Sequence, residues 1–129
     1  MSEDPPKVLG FPFEDEPHFG SPEVMFAACW SGNLDLLSES HALGVDINLV
    51  EDGTGLSPLH IAVGSNDYTM CRRLIEDFGA RFFPDRFGRW PSLVAIECGA
   101  EDWLCAYVAE REENYLAEHH PEQLIQRPE

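Results

Sequence analysis

The side chains of this 129-residue chain that could carry out chemistry are four cysteines, five histidines and twenty-four carboxylates. None stands at a spacing that a known chemistry requires. Cys29, Cys71, Cys98 and Cys105 form no C-x-x-C pair and lie in apolar helical stretches. That suits reduced core thiols better than a zinc site or a disulfide framework. Cys71 and Cys105 have no adjacent His, and Glu97 beside Cys98 disfavours the thiolate that a nucleophile needs. His119 and His120 are neighbours, so on a helix their rings point about 100° apart, and no third ligand is near in sequence. They read as a surface pair at a helix end. The phosphate-cradling patterns G-x-x-x-x-G-K-[ST] and G-x-G-x-x-G are absent, as are G-x-S-x-G, H-E-x-x-H and an EF-hand loop. The expectation is a non-enzyme with no catalytic residue, no cofactor and no metal.

Charge narrows the partners. The net charge is −16 and is spread along the whole chain, so no basic face exists for phosphate. Direct DNA or RNA binding by counterion release is disfavoured, whereas a basic partner would be attracted at long range. Apolar runs are short and broken by charge, far below the ~20 residues that cross a bilayer. The start, Met-Ser-Glu-Asp-Pro-Pro, carries acid where a signal peptide carries Lys or Arg. A soluble cytoplasmic chain, monomeric on its own, is expected.

The elements that must position any functional side chain follow from periodicity. Residues 1–20 hold four prolines, five acids and three phenylalanines without a sustained period, and read as a flexible arm. Phe11, Phe13 and Phe19 in it could dock on the first helices or serve as a linear motif for a partner. From Ser21 the pattern becomes helical stretches of two or three turns separated by Gly, Asp, Asn and Pro. Helices so short cannot bury an apolar face alone and need stacked neighbours. Gly55, Pro58, Ala62 and Asn66 recur 33 residues later as Gly88, Pro91, Ala95 and Gly99. A fixed period in this range marks a solenoid.

The segment Asp52-Gly-Thr-Gly-Leu-Ser-Pro-Leu-His-Ile-Ala62, closed by Gly79-Ala80, resembles the turn and first helix of the ankyrin-repeat family. Ala28 to Leu37 followed by Gly44-Val-Asp-Ile-Asn48 looks like the second half of an earlier repeat. Asp85 to Ala95 looks like the opening of a later one. The resemblance implies an all-α solenoid of helix-turn-helix pairs joined by β-hairpin-like fingers, with repeats near 21–50, 51–84 and 85–111 and a C-terminal capping helix in 112–129. Local chemistry agrees: Gly55 and Gly88 suit turns, Ser57 can cap the next helix, and Pro58 and Pro91 sit where a missing N–H costs nothing. His60 is expected to tie neighbouring turns through backbone groups. Three departures stand out. Trp90 occupies the position of the capping hydroxyl, Glu39-Ser40-His41 suggest a wet outer face on repeat one, and the 35-residue spacing from Gly44 to Gly79 implies loop insertions. Leu59, Ile61, Ala62, Leu74, Ile75, Leu93, Ala95, Ile96, Leu104 and Val108 are expected in the core, with Trp103 aligned on Met70.

The resemblance further implies that partners are bound by fingers and inner helices. The finger Arg81-Phe-Phe-Pro-Asp-Arg-Phe-Gly-Arg-Trp90 holds three of the eight basic residues and four aromatics. Such residues make hot spots because rigid rings lose little entropy and guanidinium pairs or stacks. The candidate binding residues are Arg81, Phe82, Arg86, Phe87, Arg89 and Trp90, extended by Trp30, Gly64 and Ser65. Some of the phenylalanines could instead fill space beneath the finger, with Phe83 or Phe87 the first to be buried. The functional expectation is a protein–protein interaction module, a small acidic adaptor or inhibitor. The alternatives are an antitoxin- or immunity-type neutraliser of a basic effector, and an enzyme subunit.

Overall fold

Three of the helices start where the N-cap side chain accepts from an orphan N–H of the first turn. In the computed structural model, which describes residues 20–120, six α-helices follow one another: α1 Pro22–Ser31, α2 Leu34–Ala42, α3 Pro58–Gly64, α4 Tyr68–Arg72, α5 Pro91–Glu97 and α6 Asp102–His119. The carboxamide of Asn33 accepts from the Leu36 N–H, and the carboxylate of Asp67 from the Met70 N–H, each at 3.1 Å. Ser57 and His60 form a reciprocal cap at the start of α3. Prolines open α1, α3 and α5. No strand occurs among the described residues, so the fingers are turns closed by backbone hydrogen bonds and not β-ladders. Residues 1–19 and 121–129 lie outside the description, and with them the expectations for Phe11, Phe13, Phe19 and the tail.

Helices α1, α3 and α5 form an inner row, and α1 and α5 each pack against the outer helix that follows, α2 and α6. Met25, Leu37, Leu59, Ile61, Met70, Leu74, Leu104 and Val108 are sealed in one core, together with the small residues Ala28, Ala62 and Ala95. Small residues let the inner helices approach: a Cβ at Gly64 would stand 3.4 Å from the Cys98 sulfur.

Several expectations are corrected. The third repeat inserts Ala100 between the left-handed residue Gly99 and the N-cap Glu101, whereas Asn66 leads directly into Asp67. The outer-helix register is therefore 34, Leu104 takes the place of Met70 at 0% exposure, and Trp103 moves to the surface at 51%. Leu93 and Ile96 are exposed because they stand where His60 and Val63 stand in the second repeat, and no further finger covers them among the described residues. Cys98, just past α5, is exposed as Ser65 is at the same place in the second repeat. Ser40 is buried, although its neighbours Glu39 and His41 are exposed, the His41 ring stacking on Phe78 at 4.2 Å. Not every inserted residue lies in a loop: α4 runs on into a π-helical turn, Arg73–Asp77, which absorbs an extra residue within the helix itself. The helical continuation of Glu112 to Glu118 after Arg111 is present, as the second half of α6.

That long helix repairs the missing cap of the third repeat. Trp90 offers no side-chain hydrogen bond to α5. Glu112, 7% exposed on α6, accepts instead from the Ser92 N–H at 3.0 Å and from the Ser92 hydroxyl at 2.7 Å. A residue twenty positions away thus does the work that Ser57 does locally. Glu112→Ala leaves the Ser92 N–H and hydroxyl without their acceptor and is expected to cost about 2 kcal/mol in urea unfolding, while Glu112→Gln keeps an acceptor and costs less than half of that.

Candidate functional site

The finger that carries the aromatic and basic residues is organised by one carboxylate. Asp85, 6% exposed, accepts from the Phe87 and Arg89 N–H groups at 2.9 Å each and from Arg89 Nε at 2.8 Å. Burial opposes its charge, but these donors outweigh it and hold its pKa below the usual carboxylate value. The turn is closed by Asp85 N–H to the Arg89 carbonyl at 2.9 Å, with Gly88 at φ 80°. Arg89 is thereby spent on the fold: it pairs with Asp85, reaches Glu97 at 3.4 Å and lies 5.6 Å from the Phe87 ring centre.

Two ties set the finger against the preceding repeat. The Arg86 N–H donates to the Thr54 carbonyl at 3.0 Å, joining the tips of successive fingers. Below them His60, buried at 1% exposure, lies 2.9 Å from the Arg89 carbonyl through Nε2. A carbonyl can only accept, so Nε2 carries the proton and Nδ1 receives the Ser57 N–H at 3.3 Å and its hydroxyl at 2.8 Å. Burial pushes the imidazole pKa down, which favours this neutral form. His60 is a structural link between turns, with neither ring nitrogen left over for chemistry.

The predicted binding residues divide accordingly. Arg86 and the 68%-exposed Phe87 share the finger tip and point to solvent. Phe82 does not belong to the surface: at 4% exposure it fills the space under α6, its ring 5.6 Å from Tyr115. Phe83 is half-buried beside His60, so the buried ring is Phe82 and not Phe87. Trp90 is half-buried against the core. Arg81 sits at the finger base, its N–H held by Asn48 Oδ1 at 2.7 Å, and lines an open groove of about 690 Å³ with Tyr115 and His119. Trp30 is 56% exposed, and its indole N–H reaches Glu51 of the first finger at 3.4 Å. Ser65 is exposed at the C-terminal end of α3, the end away from the fingers, with Gly64 half-buried beside it. The structure thus joins Arg86 and Phe87 and separates them from Arg81 and Ser65.

Charge pairing selects among the arginines. Glu76 on the π-helical turn accepts from Arg72 at 3.0 Å, from the Tyr107 hydroxyl at 2.6 Å and from Arg111 at 3.1 Å. The bonds from Arg72 and Tyr107 hold its pKa down to about 2. Arg73 pairs with Asp77 at 2.9 Å. Among the described residues Arg81 and Arg86 are the arginines that engage no carboxylate. The two buried thiols are held protonated: burial pushes Cys29 and Cys71 up to about 12.

Stacked helix pairs with proline-opened inner helices recur along the chain, with a Ser-Pro-x-His cap in the second repeat and a backbone bond between successive finger tips. A family profile described as "Ankyrin repeats (many copies)" matches residues 25–75. Residues 25–75 are thus similar to ankyrin repeats. It is also 40% identical over 60 residues to Dauer abnormal formation protein 25 of Caenorhabditis elegans, a stretch covering 46% of this chain and 15% of that protein. The chain therefore spans a small part of the curated relative it matches. Ankyrin repeats are protein-interaction modules, and no helix among the described residues is long and apolar enough to cross a membrane.

Sequence reasoning missed the exposed pair Leu93 and Ile96, the acceptor Glu112 and the lining of the first finger. Leu93 and Ile96 could have been found by aligning them with His60 and Val63, the positions that face the next repeat. Glu112 left no signal, because a cap supplied from another helix has no fixed spacing.

Proposed function

We propose that this ankyrin stack is a small acidic adaptor or inhibitor that binds a partner protein across its finger tips and the exposed side of its inner helices, without catalysing a reaction. The observation that carries this reading is the finger tip, where Phe87 and an Arg86 without a carboxylate partner stand exposed on a turn fixed from beneath by Asp85. A large ring and a free guanidinium on a rigid support give binding area at low entropic cost. The inert buried thiols support binding over nucleophilic chemistry and suit a reducing, cytoplasmic setting. The net charge of −16 supports a basic partner, and neutralisation of a basic effector, as an immunity protein does, is the form of inhibition it favours.

The test is capture of partners from the source lysate at low salt, beside the variant Arg86→Ala/Phe87→Ala, with circular dichroism showing that both are folded. A specific protein held by the parent and lost by the folded variant is the expected result. Equal retention by both would remove the finger tip from the interface, and repeated capture of nothing would overturn the binding reading.

A further inference from the structure

We propose that a groove at the first finger, distinct from the 81–90 finger, receives a basic amphipathic segment of the partner protein, so that one Lys or Arg side chain lies with its stem along the apolar part of the lining and its cation among carboxylates. This inference rests on the reading of the chain as a protein-binding module and adds the chemistry of the segment bound.

The groove has a volume of about 350 Å³. Glu23, Phe26 and Trp30 recur along α1 at three- and four-residue steps, which places them on one face of that helix. Glu23 and Phe26 form one wall of the groove, and the segment from Leu49 to Asp52 forms the other. Phe26, Leu49 and Val50 supply the apolar part of its lining, with Val50 43% exposed. Glu23, Glu51 and Asp52 rim it with negative charge. The rim is held in place: Glu51 receives the Thr54 hydroxyl at 2.9 Å and the Trp30 indole N–H at 3.4 Å, so the exposed Trp30 ring is tethered to the same wall.

Charge complementarity chooses the occupant. Between Gly20 and Cys71 the chain contains no Lys or Arg, and among the described residues Glu23, Glu51 and Asp52 take part in no ion pair. A long cationic side chain buries its methylenes on apolar surface while its head stays with anions, and an indole face adds a cation–π contact. The chain's own residues 1–19 hold five acids and one Lys, and a second copy has the same net charge of −16, so both are repelled where a basic segment is drawn in.

The probe is a pair of synthetic peptides of alternating composition, Arg-Leu and Glu-Leu, titrated into the full 15N-labelled chain at about 50 mM salt, where exposed charges are weakly screened. The chain has three tryptophans, so the indole signals of Trp30, Trp90 and Trp103 report three places at once. The Arg-Leu peptide is expected to shift the Trp30 indole and the Glu-Leu peptide to leave it unmoved. Glu23→Gln/Asp52→Asn, which alters two exposed side chains, is expected to weaken binding by about fivefold or more, as loss of two surface charge contacts does. Unchanged affinity in that variant, a shift of Trp90 without Trp30, or no binding of the Arg-Leu peptide would each overturn the groove assignment. Capture of a partner through Arg86 and Phe87 would survive all three, so the failure of this inference is separable from failure of the module reading.

Discussion

Leu104→Ala is expected to lower the stability of the stack by about 2–5 kcal/mol, while Trp103→Ala costs about 1 kcal/mol. The contrast follows from one inserted residue. With Ala100 between Gly99 and the N-cap, Leu104 is sealed at 0% exposure and Trp103 is half in solvent, touching Tyr68 edge-on at 4.6 Å. In the uninterrupted 33-residue register the costs would be reversed, because Trp103 would replace Met70 in the core. The cavity left by a Leu-to-Ala change is large because the site is enclosed by α5 and α6, which can collapse only in part. For a small solenoid this is a large share of the total. Urea unfolding of the two variants by circular dichroism measures both, and a larger loss for Trp103→Ala would sink the 34-residue register.

Gly55→Ala is expected to cost about 2–4 kcal/mol and to loosen the two fingers from one another. Gly55 has φ 72°, a region that a residue with a Cβ enters at a penalty. A Cβ there would also stand 2.7 Å from the Arg86 backbone nitrogen, which is donating to the Thr54 carbonyl next door. Backbone cannot swing aside as a side chain can, so the fingers must part and that bond must lengthen. Gly88→Ala is the control: it has φ 80° but meets nothing within 4 Å, so it carries the conformational penalty alone. Unfolding measures the totals, and amide exchange at Arg86 reads the separation. Equal costs for the two substitutions, with Arg86 still protected, would show that the close approach is unimportant.

How much of the site was legible depended on the range of the interaction that builds it. Ser57 and Pro58 could be read because a cap and a first-turn proline act within a few residues, whereas the tie of His60 to the Arg89 carbonyl, 29 positions on, was legible only through the family resemblance. Asp85 could not, although it organises the whole finger, because one more acid in a chain of twenty-four carries no mark of being buried. Phe82 and Phe87 differ in fate for a similar reason. Both are phenylalanines in the same ten-residue stretch, and their burial is decided by α6, whose Tyr115 lies over the first and not over the second.

The repeating unit and the starts of the proline-opened helices were legible in the sequence, and the all-α class through the resemblance, since period, proline and capping residues are local and add up along the chain. Only the tertiary structure decided the shift to a 34-residue register, the supply of Glu112 to the uncapped α5, and which rings of the finger face water. Those depend on contacts between residues far apart in the chain, and a solenoid creates them when one repeat is laid against the next.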